Sequence, residues 1–314
     1  MRSTSSATAR PVVRLPPMPD EREAAAAFSP IDMAIGHIEG DQLAFKREDG
    51  FARALRDGFF LLAMPSGVDL EAGDRFANHF FLPSVGGPLA SYTGYRDLDV
   101  PGDYQGYFDR SHDQWENFYI ERANWRLLPR EVALLGRSMA HIGVTILRST
   151  LAKVGIPQAE WSVLTGGLSE GDGHQMLAFN HFRSDKPARG SKFHRDSGWV
   201  TVLRSTEPGL VGYIGNELRS INPEPGHFIV NFGSSIEVLT EGLSLPVRAN
   251  VHGVARTRRQ PGQSERVSYV TFLDSDLDAD IYRYGPHGRE KLQTVAEFAV
   301  QEVSRTYDDD DLTL

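Results

Sequence analysis

A group of polar residues in the second half of the sequence has the composition of a metal site. His194 and Asp196 occur in F-H-R-D-S-G-W, and His252 occurs in N-V-H-G-V. Two histidines and one carboxylate form the ligand set of a facial iron(II) site, which leaves coordination positions open. Further along, E-R-V-S-Y contains Arg266 and Ser268, a pair that could grip a carboxylate. These residues predict a metal site with an anion site beside it.

The spacing of these residues indicates β-structure. Positions i and i+2 of a strand share a face, so His194 projects with Asp196 and Arg266 projects with Ser268. The third ligand, His252, lies in a different predicted strand, and strands of a sandwich can be neighbours in space although they are distant in sequence. The site therefore requires a folded sheet that brings separate strands together.

Short β-rich segments with turns between them extend from about residue 163 to 275, a pattern typical of a sandwich or barrel. The predicted strands are 174–183, 190–196, 199–204, 210–215, 227–231, 246–255 and 266–273. Helical patterns flank them. The clearest predicted helix spans 129–154, where apolar residues recur at steps of three and four.

The remaining segments complete the predicted organisation. Further helices are expected at 42–57, 69–81 and 289–306, a buried strand at 59–64 and a long loop at 83–112. We divide the chain into a flexible N-terminal tail at 1–27, a mostly helical region at 28–162 that wraps the core, the β core at 163–285, and a C-terminal helix with an acidic tail at 286–314.

Composition excludes several classes of protein. The 314 residues carry a formal net charge of -9, which argues against a nucleic-acid or anionic-membrane surface and slightly favours a polar or cationic small molecule. The absence of cysteine excludes disulfides, thiolate metal sites and iron–sulfur clusters, so a metal must be bound by histidine and carboxylate. No apolar run has the length of a membrane span, and the N-terminus lacks the apolar core of a secretory signal. We expect a cytoplasmic protein.

The motifs between residues 176 and 273 resemble those of the isopenicillin N synthase-like branch of the iron(II)/2-oxoglutarate-dependent oxygenases. They are M-L-A-F-N-H-F, F-H-R-D-S-G-W-V-T-V-L, P-G-H-F-I-V-N-F-G-S-S-I-E-V-L-T-E-G, V-H-G-V, R-V-S-Y-V-T-F and D-S-D-L-D-A-D-I. The resemblance covers most of residues 45–285. It implies a mainly β fold with flanking helices around a double-stranded β-helix (jelly-roll) core. It also implies a non-haem iron(II) dioxygenase that uses iron(II), 2-oxoglutarate and O2.

The resemblance assigns roles to individual residues. His194, Asp196 and His252 match the metal triad of the family. Arg266 matches the arginine that pairs with the distal carboxylate of 2-oxoglutarate, and the Ser268 hydroxyl lies beside it. A guanidinium can contact a carboxylate through two parallel hydrogen bonds, which lysine cannot reproduce.

Two further positions belong to the co-substrate site of the family. Asn180 matches the asparagine of an N-x-Y strand motif, and Phe182 occupies the tyrosine position of that motif. Phe182 is a departure, because phenylalanine has no hydroxyl to donate to 2-oxoglutarate.

The function implied by the resemblance is oxidation of a C–H bond of a small molecule in specialised (natural-product) metabolism, by hydroxylation, desaturation or oxidative cyclisation. One alternative is an iron oxidase of the same fold that uses O2 without 2-oxoglutarate; Arg266 and Ser268 would then hold the carboxylate of the substrate itself. A second alternative is a non-catalytic jelly-roll binding protein. Neither a nucleic acid nor a membrane is expected as a partner, and the oligomeric state is left open.

Overall fold

Two β-sheets carry the predicted site residues. The protein is described by a computed structural model that covers residues 27–259 and 262–304. The larger sheet contains β1 (Ala34–Glu39), β2 (Gln42–Phe45), β3 (Phe59–Ala63), β4 (Gly106–Asp109), β5 (Trp115–Glu121), β6 (His174–Phe182), β8 (Val200–Ser205), β11 (His227–Phe232) and β13 (Arg266–Asp274). The smaller sheet contains β7 (Ser191–His194), β9 (Leu210–Ile214), β10 (Glu217–Ile221) and β12 (His252–Val254). A separate hairpin is formed by β14 (Asp280–Gly285) and β15 (Gly288–Thr294).

The strand order brings distant segments together. The larger sheet has the order β2-β1-β3-β11-β8-β13-β6-β5-β4, and the smaller has the order β10-β9-β12-β7. The two sheets pack face to face, because one buried apolar cluster joins Phe59, Phe182 and Ile229 of the larger sheet to Leu210 and Val254 of the smaller. The interior between the sheets is where side chains of both layers meet.

The helices are α1 (Gly50–Asp57), α2 (Glu71–Ala77), α3 (Arg130–Lys153), α4 (Gln158–Leu164), α5 (Ser234–Thr240) and α6 (Val295–Ser304). The first three pack against the larger sheet, α4 packs against α3, and α5 and α6 pack against the hairpin of β14 and β15. The longest, α3, matches the helix predicted at 129–154, and its apolar stripe is buried in the main core. Its contact with the sheet is close: a Cβ added at Gly143 would lie 2.2 Å from Leu273 Cδ1. Among the described helices, none has the length and hydrophobicity needed to cross a membrane.

Several predicted elements are wrong in part, and long-range strand pairing explains the differences. Residues 42–57 were expected to form one helix, but β2 pairs with β1 before α1 begins. Residues 289–306 were also expected to be one helix, but β15 pairs with β14 and only Val295–Ser304 is helical. Within 246–255, only His252–Val254 is a strand. The loop expected at 83–112 contains short 3-10 turns and β4.

The region at 28–162 is not mostly helical. It contains α1 to α3, but it also contains β1 to β5, which extend the larger sheet at both edges. The sheets therefore draw on strands from outside the β core predicted at 163–285. The N-terminal tail predicted at 1–27 lies outside the described residues except for Ala27, and so does the acidic run at 308–311.

Candidate metal centre

The two histidines of the predicted triad face each other across a strand pair. In the smaller sheet, β12 runs antiparallel to β7, and His252 is the direct cross-strand partner of His194. Directly opposed residues of an antiparallel pair project from the same face. The two imidazole rings are accordingly close, with centroids 4.7 Å apart.

Asp196 follows β7 and presents its two carboxylate oxygens to different partners. Oδ2 accepts hydrogen bonds from Thr201 Oγ1 at 2.6 Å and from Asn231 Nδ2 at 2.7 Å. Oδ1 lies 3.5 Å from Nε2 of His194 and 3.7 Å from Nε2 of His252. The larger sheet thus holds one oxygen in place and leaves the other directed at the histidines.

The hydrogen bonds of the imidazoles select the tautomer that suits a metal ligand. Nδ1 of His194 donates to the Lys192 carbonyl at 3.1 Å, and Nδ1 of His252 donates to the Asn250 carbonyl at 3.0 Å. A carbonyl only accepts, so in each neutral ring the proton resides on Nδ1 and the lone pair on Nε2 points toward Asp196. Such partners on the distal nitrogen are typical of metal-binding histidines.

The electrostatics of the cluster favour a bound cation. Burial acts to raise the pKa of Asp196, but the histidines and the Thr201 hydroxyl outweigh burial and hold that pKa well below its usual range. Burial lowers the pKa of His252. For His194, burial also acts to lower the pKa, but its contact with Asp196 prevails and raises it. A metal binds only neutral imidazole, so the raised pKa of His194 makes metal affinity depend on pH.

The donor set fits a single iron(II). The three ligand atoms lie within 4.8 Å of one another, close enough for one cation to contact all of them. Imidazole and carboxylate in a two-to-one ratio are the ligands of non-haem iron(II) sites with open positions. In the ranges 27–259 and 262–304, no other group of His, Asp or Glu side chains meets the same distance criterion.

A second group of predicted residues forms two adjacent cross-strand pairs on β6 and β13. Arg266 is opposite Phe182, and Ser268 is opposite Asn180. The Asn180 amide donates to the Ser268 hydroxyl at 3.3 Å. Arg266 and Ser268 lie on the same face of β13 as Phe272, because alternate residues of a strand share a face. Phe272 is paired with Thr201 on β8, and the Thr201 hydroxyl donates to Asp196. These side chains therefore occupy the same interior between the sheets as Asp196.

Arg266 is a buried cation with unused hydrogen-bonding capacity. Its Nη2 donates to Ser205 Oγ at 3.1 Å and its Nε to the Glu207 carbonyl at 3.3 Å, but among the described residues Nη1 has no partner. Burial lowers the pKa of Arg266 to about 10, although Glu207 opposes the shift. A buried, incompletely satisfied guanidinium is costly unless an anion pairs with it.

The departure at Phe182 also has a structural consequence. The Arg266 guanidinium carbon lies 4.3 Å from the centroid of the Phe182 ring, which is a cation–π contact. Phe182 therefore contacts the Arg266 guanidinium through its ring, whereas the tyrosine of the family motif would offer a hydroxyl to the ligand.

The comparison with known families agrees with this geometry. Residues 173–275, which include every ligand and anion-site residue described above, match the 2OG-Fe(II) oxygenase superfamily. The matched segment is about a third of the chain, and over it the chain is similar to this superfamily. Its members are non-haem iron dioxygenases that use iron(II), 2-oxoglutarate and O2.

Two plant members of the superfamily are similar to part of this chain. The 2'-deoxymugineic-acid 2'-dioxygenase of Hordeum vulgare is 36% identical over 111 residues, which are 32% of this chain. The 2-oxoglutarate-dependent dioxygenase 19 of Oryza sativa subsp. japonica is 29% identical over 109 residues, which are 33% of this chain. In both cases the match spans only 30% of the relative's own length.

The fold is also shared over nearly the whole chain with solved oxygenase structures. A crystal structure of JOX2 in complex with 2OG, Fe and JA superposes with a TM-score of 0.65 at 20% identity, covering 91% of this chain and 89% of that one. The predicted mainly β fold with a jelly-roll core is confirmed.

Sequence reasoning missed the two residues that hold Asp196 in place. Thr201 lies on β8 and Asn231 on β11, and both donate to Oδ2 of the aspartate. A signal was present for Asn231, because it is the one amide in the apolar strand H-F-I-V-N-F and is buried. A buried amide in such a strand requires a hydrogen-bond partner.

His181, in contrast, lies outside the site, as its position next to Asn180 predicts. Its Nδ1 is 2.8 Å from Glu116 Oε1, its Nε2 is 2.7 Å from Glu265 Oε2, and its ring stacks on Phe81. Glu265 directly precedes Arg266, so this contact helps to fix the start of β13 beside the anion site.

Proposed function

We propose that this chain is an iron(II)/2-oxoglutarate-dependent oxygenase that oxidises a C–H bond of a small molecule. The observation that carries the proposal is the convergence of Nε2 of His194, Nε2 of His252 and Oδ1 of Asp196 in the same interior as the buried Arg266. This interior offers a cation site and an anion site together, as a metal with a dicarboxylic co-substrate requires.

Each residue has a distinct role in this proposal. His194, His252 and Asp196 would hold iron(II) on one side and leave its other positions open. Arg266, with Ser268 beside it, would bind the distal carboxylate of 2-oxoglutarate, and Phe182 would keep the guanidinium plane oriented. Bound iron(II) with 2-oxoglutarate supplies the oxidising chemistry, whereas the protein supplies binding, orientation and exclusion of water.

The finer parts of the function belong to the same proposal. Hydroxylation, desaturation and oxidative cyclisation would use the same residues, and we place the reaction in specialised metabolism. The Hordeum vulgare relative is named for 2'-deoxymugineic acid and the solved structure of JOX2 contains JA, which supports a small-molecule substrate. The cytoplasmic location stays a prediction from the sequence.

The test is an anaerobic titration of the iron(II)-loaded protein with 2-oxoglutarate, followed by measurement of succinate in air. We expect the metal-to-ligand charge-transfer absorption of an iron(II)–2-oxoglutarate complex, and succinate formation that requires iron. If iron binds but no absorption band and no succinate appear, the oxidase alternative replaces the proposal. If iron does not bind at all, the non-catalytic alternative does.

A further inference from the structure

A small cavity adjoins the metal centre. It has a volume of about 230 Å³, and two residues of the triad, His194 and Asp196, belong to its lining. Neither Arg266 nor Ser268 lines it. A molecule in this cavity would therefore lie beside the metal without occupying the anion site proposed for 2-oxoglutarate.

Charged side chains of both signs line the same cavity. Besides Asp196 they are Lys192, Arg195, Asp274 and Glu302. Glu302 accepts a hydrogen bond from the Ser234 hydroxyl, and Lys192 also has an interaction partner. Arg195 and Asp274 differ from them, because neither forms an ion pair within the described ranges.

Arg195 contributes a guanidinium with unused donors. It directly follows β7, and its Nε donates to the Ala249 carbonyl at 3.0 Å. Its two terminal nitrogens have no hydrogen-bond partner in the part of the chain that the structure describes. Burial lowers the pKa of His252, and the charge of Arg195 acts in the same direction, so the guanidinium lies near the metal centre. It offers an anion in the cavity a planar set of donors.

Asp274, the last residue of β13, contributes a carboxylate that has only neutral partners. Its Oδ1 accepts from the backbone N–H of Ser275 at 2.8 Å, and its Oδ2 accepts from the Ser197 hydroxyl at 3.2 Å. Its cross-strand neighbour His174 lies 2.8 Å from Glu121 instead. Burial raises the pKa of Asp274 to about 6, although these hydrogen bonds and His174 oppose the shift. A cationic group in the cavity would stabilise this carboxylate.

We propose that the substrate is a small amino acid in its zwitterionic form, whose carboxylate pairs with Arg195 and whose ammonium group pairs with Asp274. The assignment rests on the proposed function, because it makes the cavity beside the iron site the substrate site. The two side chains follow or end strands of different sheets and do not pair with each other, so each is available to a different group of one ligand. A ligand with only one charge would leave the other side chain unpaired.

The remainder of the lining limits the size and polarity of the ligand. Trp115 and Phe272 give the cavity apolar walls against which a carbon skeleton can pack. The volume of about 230 Å³ is below the roughly 300–1,000 Å³ of pockets for drug-sized ligands, so the amino acid is compact.

The test compares zwitterions with analogues that lack one of the two charges. L-leucine with isocaproate and isoamylamine, L-valine with isovalerate and isobutylamine, and γ-aminobutyrate with butyrate and propylamine are titrated calorimetrically, without O2, into the iron(II)–2-oxoglutarate protein. We expect at least one zwitterion to bind about ten- to a hundredfold more tightly than either of its analogues, because each analogue loses a hydrogen bond to a charged group. If no zwitterion binds more tightly than both of its analogues, the assignment is wrong.

Substitutions at the two charges separate their roles. Arg195→Met should remove the preference for the zwitterion over the amine and keep the preference over the acid, whereas Asp274→Asn should do the reverse. Arg126→Met and Asp278→Asn, at exposed positions, are the matched controls and should keep both preferences. An equal loss of affinity for zwitterion, acid and amine in Arg195→Met or Asp274→Asn would show a structural role and overturn the assignment.

The co-substrate titration separates this inference from the proposed function. Arg195→Met should keep the wild-type affinity for 2-oxoglutarate and its absorption band. If the variant loses 2-oxoglutarate affinity instead, Arg195 anchors the co-substrate and the assignment is wrong. Absence of the band in the wild type would overturn the proposed function alone, and the same ligand comparison on the iron(II) protein without 2-oxoglutarate would then decide the assignment.

Discussion

His252 and His194 are directly opposed residues on neighbouring antiparallel strands, and their Nε2 atoms lie 3.7 and 3.5 Å from the same oxygen of Asp196. The pairing of β12 with β7 therefore determines the separation of the two histidines proposed as metal ligands. An error of one residue in this register would turn one imidazole to the other face of the sheet. The geometry of the metal centre is thus a property of strand pairing as much as of the ligands themselves.

The first prediction concerns the ligand that comes from β12. His252→Ala should abolish stoichiometric iron(II) binding and turnover while the fold is retained, because the strand stays paired through its backbone. Equilibrium dialysis with iron(II) and circular dichroism measure the two properties. His141→Ala, on the exposed face of α3, is the control. Wild-type iron affinity in His252→Ala would remove His252 from the site.

The second prediction concerns the support of Asp196. Asn231→Ala removes the donor that lies 2.7 Å from Oδ2, so the carboxylate should lose its fixed orientation. Loss of such an outer partner typically weakens metal affinity by about 10- to 100-fold. Thr201→Val removes the other donor and should act in the same direction. Unchanged iron affinity in both variants would show that the orientation of Asp196 does not depend on the larger sheet.

The third prediction concerns Arg266 as the anchor of 2-oxoglutarate. Arg266→Lys keeps the charge but loses the planar fork, and Arg266→Ala loses both. The affinity for 2-oxoglutarate should fall in the order wild type, Lys, Ala, with a total loss of roughly ten- to a hundredfold for removal of a charged hydrogen bond. Iron affinity should stay constant, because Arg266 is not a ligand. The anaerobic charge-transfer titration measures both, and an unchanged 2-oxoglutarate affinity in Arg266→Ala would exclude this role.

The fourth prediction concerns the buried face of α3. Leu135 is buried, and a Cβ at Gly73 of α2 would lie 2.4 Å from its Cδ2. Leu135→Ala should lower the free energy of unfolding by about 2–5 kcal/mol because it leaves a cavity. Leu134 on the same helix is 48% exposed, so Leu134→Ala should change the free energy of unfolding by less than about 0.5 kcal/mol. Equal unfolding midpoints in urea for the two variants would mean that the buried face is assigned wrongly.

The fifth prediction concerns the pH dependence of stability through Asp274. Burial raises the pKa of Asp274 from 3.8 to about 6, so the native state retains a proton that the unfolded state releases. A carboxyl with a raised pKa contributes stability below pH 3.8, and this contribution is lost as the pH rises through about 6. Asp274→Asn cannot ionise, and at pH 7 it should be more stable than the wild type by up to about 2–3 kcal/mol.

Urea unfolding of the metal-free protein across this pH range measures the effect of Asp274. The difference in unfolding free energy between wild type and Asp274→Asn should grow as the pH rises from about 4 to 6 and then level off. Asp278→Asn, at an exposed position, is the control, and its unfolding free energy should depend on pH in the same way as that of the wild type. A parallel profile for Asp274→Asn would show that Asp274 ionises in the native state as readily as in the unfolded chain.

Local sequence pattern predicted the candidate ligands and much of the secondary structure around them. The spacing of His194 and Asp196 predicted that both side chains project into one site, although β7 ends at His194 and Asp196 follows it. The apolar period of residues 129–154 matches α3 closely. These features depend on neighbours within a few positions, so they can be predicted from the sequence. Short segments whose structure depends on distant partners were predicted poorly: Gln42–Phe45 and Gly288–Thr294 are strands only because β1 and β14 pair with them.

What the sequence by itself determined was the set of chemical groups: two imidazoles, one carboxylate and one guanidinium, in a chain without cysteine. Only the tertiary structure decided how they are arranged. It placed His252 opposite His194 and directed the side chains of Asn231 and Thr201 at one oxygen of Asp196. The physical reason is that these contacts join strands far apart in the chain, and hydrogen-bond geometry between such strands exists only once the two sheets have paired and packed.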